Sequence, residues 1–166
     1  MTIRDLNAIT VEEFVTAVGW VFEYSPWVAE RAAQKRPFRD LDTLHEAMTA
    51  EVRIASREEQ LALLCAHPDL GAPAGISPAS EAEQASAGLD QLSPQEFGQF
   101  REWNTKYRKK FGFPFLFAVK GCTKHDILRA LFTRGARNEE EEFQAALEQV
   151  FRIARFRLED SLVDED

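Results

Sequence analysis

The sequence predicts an all-α protein: a single domain over residues 1–166, built as a bundle of about eight helices with one irregular or extended apolar segment. Three observations predict it. Helix-start signals recur along the chain. Apolar residues return at spacings of three and four. Only residues 111–121 are aromatic and β-branched enough to run extended, and no partner strand is visible for them. A length of 166 residues suits one domain, and 45% apolar with 29% charged residues suits a soluble globular chain.

The elements follow in order. Thr10-Val11-Glu12-Glu13 has capping-box spacing and opens a helix over 11–22. Ser25-Pro26 supplies a cap and then proline at the first helical position, opening a helix over 26–35 that Pro37 stops. A helix over 41–54 comes next, and a second box, Ser56 to Glu59, opens 57–66. Residues 67–79, HPDLGAPAGISPA, are rich in proline and glycine and form an irregular loop. Ser80 and Glu83 have box spacing again and open a helix over 80–90, and Ser93-Pro94 opens one over 94–110.

The segment FGFPFLFAVKG, 111–121, is bounded by glycine. A lone extended stretch makes no sheet, so its backbone groups need turns, side chains or a ligand as partners. Helices over 124–134 and 139–160 complete the chain. In the last, Phe143, Leu147, Val150, Ala154 and Leu158 line one face, Asn138 caps the start, and Glu139 to Glu142 read as a solvated, dipole-favoured first turn.

Composition excludes several classes. A net charge of −8 leaves no electrostatic footprint for nucleic acid. No apolar run approaches the ~20 residues of a membrane helix. MTIRDLNAIT lacks a signal peptide's apolar stretch and SLVDED is no peroxisomal address, so a cytoplasmic protein is expected. Cys65 and Cys122 are too few for a disulfide framework, and Cys65 reads as core. GxxxxGK, GxGxxG, HExxH and GxSxG are absent, and His45, His67 and His125 have no recognisable metal-site spacing, so neither metal nor cofactor is expected.

Four groups can carry chemistry, and each has a plainer reading. His67, framed by Pro68 after a helix end, suits a fixed acid or base, or else caps that helix. Ser80-Glu81-Ala82-Glu83-Gln84 either caps a helix or uses its N-terminal amides, a carboxylate and an amide to hold a polar heterocycle. Asn104 and Tyr107 lie within the apolar stripe of their helix, where they tie down the 111–121 segment or meet a ligand. Arg157, at the edge of the last helix's apolar face, either snorkels or forms a fork for a carboxylate.

These residues sit in a set of ordered motifs: FEYSPWVAERA at 22–32, RPF at 36–38, AHPDLG at 66–71, SEAEQASAGL at 80–89, NTKYRKKFGFPF at 104–115 and IARFRL at 153–158. Over nearly the whole chain this order resembles the 2-oxo-4-hydroxy-4-carboxy-5-ureidoimidazoline (OHCU) decarboxylases of purine catabolism. The resemblance implies an all-α fold, a cofactor-independent decarboxylation and a homodimer. The substrate it implies is a purine-derived small molecule made from urate by oxidation and hydrolysis, and the product is (S)-allantoin.

Carried over motif by motif, the resemblance makes His67 and Glu83 catalytic. It puts ligand contacts on Pro68, on Ser80, Glu81, Ala82 and Gln84, on the backbone of Phe115, Leu116, Phe117, Ala118 and Val119, and on Arg157. Two other readings stay open: a decarboxylase of a related ureido acid, and a non-catalytic all-α module whose Phe-rich face binds a partner helix.

Overall fold

The computed structural model describes residues 1–71 and 76–163. Positions 72–75 of the proline-rich loop and 164–166 of the C-terminal stretch, both read above, lie outside the described residues. Among the described residues the chain forms α1 (Ile3–Ala8), α2 (Val11–Val18), α3 (Trp27–Ala33), α4 (Leu41–Ile54), α5 (Arg57–Cys65), α6 (Pro78–Ser86), α7 (Pro94–Phe111), α8 (Lys124–Arg134) and α9 (Glu139–Ser161), with one 3-10 turn at Gly19–Val21 and no strand. The expected all-α class holds. Among the described residues no helix is long and apolar enough to cross a membrane.

The chain divides into two compact units: Met1–Ala66 with the stretch from Phe151 onward, and His67–Val150. In the first, α3 packs on α2 and on α4 and buries Val28, Ala29, Ala32 and Ala33. Capping boxes close in both directions at Thr10/Glu13 and Ser56/Glu59, as their spacing predicts. Two more, Thr2/Asp5 and Asp40/Thr43, use a shorter or hydroxyl partner at the third position. The first of these starts α1, a helix that the Glu-based box signal misses.

Three local readings are corrected in this unit. The helix expected over 11–22 ends at Val18 and tightens into the 3-10 turn. Ser25 does not cap α3, which begins at Trp27 with no side-chain cap; its hydroxyl turns inward and donates to the Glu23 carbonyl at 2.9 Å. Cys65 is exposed rather than core. Leu63 and Leu64 take the buried side of α5, and the next residue, about 100° further round, faces out.

In the second unit α6 starts at Pro78, with the Ser77 hydroxyl accepting from the Ser80 amide at 3.2 Å. The expected box at Ser80/Glu83 is therefore displaced. A Ser-Pro pair fixes the start three residues earlier, because proline at the first helical position has no amide to leave unpaired. The same cue is read correctly at Ser93-Pro94, where the Ser93/Glu96 box also closes.

Helix α7 ends where Gly112 adopts a left-handed conformation, φ +83, and returns its amide to the Arg108 carbonyl at 2.8 Å. Residues 114–119 then run irregular and unpaired by any strand, as expected. At the start of α9 the Asn138 side chain accepts from Glu141, but the glutamate run is not uniformly solvated. Glu139 to Glu141 are exposed, whereas Glu142 is 0% exposed.

Candidate functional site

His67 opens the second unit and is 6% exposed, followed by a loop whose backbone is gripped from two helices. The Asn104 amide on α7 donates to the Leu70 carbonyl at 2.8 Å. The Gly71 amide donates to the Gln84 side-chain oxygen on α6 at 2.9 Å. Gly71 has φ +81, a conformation that favours glycine, and a Cβ there would sit a tight 3.2 Å from the Leu92 side chain. At the rim Asp69 pairs with Arg108 at 2.8 Å, a partly solvated contact that adds little. The sequence places Asn104 against the 111–121 segment or a ligand; its amide holds the His67 loop instead.

Helix geometry sorts the 80–84 run. Ser80 and Gln84, one turn apart, are 5% and 6% exposed, so they share the inward face. Glu83 lies beside them, half-buried, while Glu81 and Ala82 are exposed. The His67 loop and the inward face of α6 are thus joined directly through Gly71 and Gln84.

The 115–119 segment is also fixed, by side chains. Phe115, Leu116, Ala118 and Val119 are buried. The Arg134 guanidinium donates to the Leu116 carbonyl at 2.6 Å, and the Gln149 side chain accepts from the Ala118 amide at 2.9 Å. The Val119 carbonyl accepts from Cys122 at 2.9 Å. These are the partners that a lone extended stretch needs.

Tyr107 does serve this segment. Its ring lies 4.5 Å from Phe111, 6.0 Å from Phe113 and 5.3 Å from Phe115. Its hydroxyl donates to Glu142 Oε1 at 2.5 Å, the oxygen that also accepts from Arg134 Nε at 2.7 Å. Burial, then the neighbouring Glu142 carboxylate, push the Tyr107 phenol well above its ordinary range, so it stays a neutral donor.

Arg157 belongs to the first unit. It does not snorkel: its side chain is 4% exposed and pairs at 2.9 Å with Glu23, itself 1% exposed. Arg157 Nη1 also lies 3.4 Å from the Trp20 and Val21 carbonyls.

Sequence reading missed Glu23, Arg134, Glu142 and Gln149. A signal for one of them was present. Glu142, Ala146, Val150, Ile153 and Arg157 fall at spacings of four, four, three and four, a buried row with a charge at each end.

Fold and local geometry define a small all-α protein with a buried histidine on an anchored loop, which is joined through Gly71 and Gln84 to the helix that carries a half-buried glutamate. The sequence pattern of the OHCU decarboxylases matches residues 7–159, and the chain belongs to that family of carboxy-lyases.

A 2-oxo-4-hydroxy-4-carboxy-5-ureidoimidazoline decarboxylase of Haloferax volcanii is 48% identical over 95% of this chain and 94% of its own length. The uric acid degradation bifunctional protein PucL of Bacillus subtilis is 46% identical over 98% of this chain, which spans 33% of that longer protein. A crystal structure of (S)-allantoin synthase superposes with a TM-score of 0.81 at 34% identity, covering 98% of this chain and 54% of that one.

Proposed function

We propose that this chain decarboxylates 2-oxo-4-hydroxy-4-carboxy-5-ureidoimidazoline to (S)-allantoin, a carbon–carbon lyase step of urate degradation. Family membership supports the reaction. The doubly anchored His67 loop, tied by Gly71 to the helix that carries Glu83, is the observation that supports the residue roles. The reading includes the homodimer that the resemblance implies, and a cytoplasmic location.

In the reaction the bond between the ring carbon and its carboxylate breaks and CO₂ leaves. The electron pair forms a C=C bond to the neighbouring ring carbon, and the C=N pair passes to the ring nitrogen, which takes up a proton from solvent. The hydroxyl on the same carbon gives up its proton, and a proton is delivered to the neighbouring ring carbon. His67 takes the hydroxyl proton, and Glu83 orients the imidazole or joins the transfer. Delivery from one face gives a single enantiomer.

Pro68, Ser80 and Gln84 shape the polar side of the site. Glu81 and Ala82, exposed on α6, enter this reading through their main chain. Backbone groups of Phe115 to Val119 hold a ring oxygen, as preorganised donors do. Of these, the Ala118 amide is already engaged by Gln149. Arg157 is proposed as a fork for a carboxylate, with Glu23 holding one side of it.

The test generates the unstable substrate in situ from urate and follows (S)-allantoin formation over the spontaneous reaction. The unmodified chain accelerates it. His67→Asn lowers kcat by about 10²- to 10⁴-fold, the range of general acid–base catalysis, with product affinity nearly unchanged. A folded chain that gives no acceleration overturns the function. Turnover of His67→Asn within a few-fold of the parent overturns the role of His67.

A further inference from the structure

We infer that Arg134 is a positioning residue: held by Glu142 and Tyr107, it fixes the Leu116 carbonyl and thereby sets the backbone against which the substrate is placed. The inference rests on the 115–119 segment being the substrate-facing backbone proposed above, and it adds a residue that touches no substrate.

Three helices converge on one peptide group. Helix α8 supplies Arg134, α9 supplies Glu142 and α7 supplies Tyr107. Arg134 makes three contacts with one plane. Its Nη1 donates to Leu116 at 2.6 Å, its Nε donates to Glu142 at 2.7 Å, and its guanidinium lies over the Phe115 ring at 4.5 Å. Glu142 is wholly buried and Arg134 nearly so, with side chains 0% and 10% exposed.

Such a pair is an expensive way to fill space, since apolar residues of similar volume pack as well or better. What apolar residues cannot supply is a donor aimed at a carbonyl. The segment has no strand beside it to fix its path, so this donor and the Gln149 acceptor define where its peptide planes lie. Lysine cannot replace arginine here. One ammonium cannot lie flat on Phe115 while donating to two acceptors in the fixed directions of a fork.

The test compares Arg134→Lys with Asp126→Ala, a variant that loses the α8 capping box and serves as a control for stability alone. Both are assayed for kcat and KM on substrate made in situ, for thermal midpoint, and for amide hydrogen exchange across 113–121. Displacing a positioned group by about an ångström can cost 10²-fold, so Arg134→Lys loses about 10- to 100-fold in kcat/KM. Its exchange quickens at Leu116 to Val119. Asp126→Ala keeps parental kcat/KM despite its lower midpoint.

Tyr107→Phe, which removes one donor to Glu142 and no charge, shifts both readouts the same way by less, and it decides the matter if Arg134→Lys does not fold. An active parent with Arg134→Lys unchanged in kcat/KM and exchange overturns this inference alone. So does a loss in Asp126→Ala as large as that in Arg134→Lys. An inactive parent overturns the proposed function and with it the inferred role.

Discussion

Glu23 and Arg157 meet where neither touches much water, which makes each costly without the other. Removing one partner of a buried pair leaves an uncompensated charge, worth about 3–5 kcal/mol of stability. Glu23→Ala is therefore expected to lower unfolding stability in urea by that amount. Replacing both residues with apolar ones of similar size, Glu23→Leu with Arg157→Met, restores most of the loss, because no charge stays buried. The double variant also separates stability from recognition. It folds, yet its KM for substrate made in situ rises where Arg157 serves as the proposed fork. A parental KM in the double variant leaves Arg157 with its structural pairing alone, and a cost below about 1 kcal/mol for Glu23→Ala contradicts a desolvated pair.

At the scale of elements, the sequence is most legible where a start signal is local. Helices α4 and α8 match their expected bounds, and the boxes at Thr10, Ser56 and Ser93 close as read, because the cap and its third residue need no tertiary partner. Errors fall where two local signals compete. Ser77-Pro78 and Ser80/Glu83 offer rival starts for α6, and the proline decides. Ser25 looks like a cap, but tertiary burial draws its hydroxyl to Glu23.

The candidate site shows the same division. His67, Gln84 and the 115–119 segment are visible as sequence motifs. The groups that hold them, Asn104 to Leu70 and Arg134 to Leu116, span 34 and 18 positions, and no short-range pattern encodes that reach. Glu142 hides its burial from the sequence for a related reason. A helix's first turn favours acids for its dipole whether or not the fold later buries one of them.

For the molecule as a whole, the excess of acid has a local use. The net charge of −8 does not steer an anionic substrate, but many carboxylates sit at helix starts. Backbone amides at the boxes hold Asp5, Glu13, Asp40 and Asp126 below their ordinary values. Arg31, followed by the Ser56 amide, does so for Glu59. Lys124, followed by the Ser93 amide, lowers Glu96 from 4.5 to about 2.

Each of these groups releases its proton more readily folded than unfolded. Each therefore adds stability that is complete above the unfolded value, near pH 4, and is lost as pH falls through the folded one. Between neutral pH and about 5 the loss of negative charge also relieves self-repulsion, so stability holds or rises there. The urea midpoint is expected to stay level down to about pH 5 and then to fall continuously from about 4.5 toward 2. Glu96→Gln sharpens the test, because it removes the group with the largest shift. It starts less stable at pH 7 and loses less on acidification than the parent. A midpoint that stays level through pH 3, or a Glu96→Gln profile parallel to the parent's, contradicts helix starts as the seat of acid sensitivity.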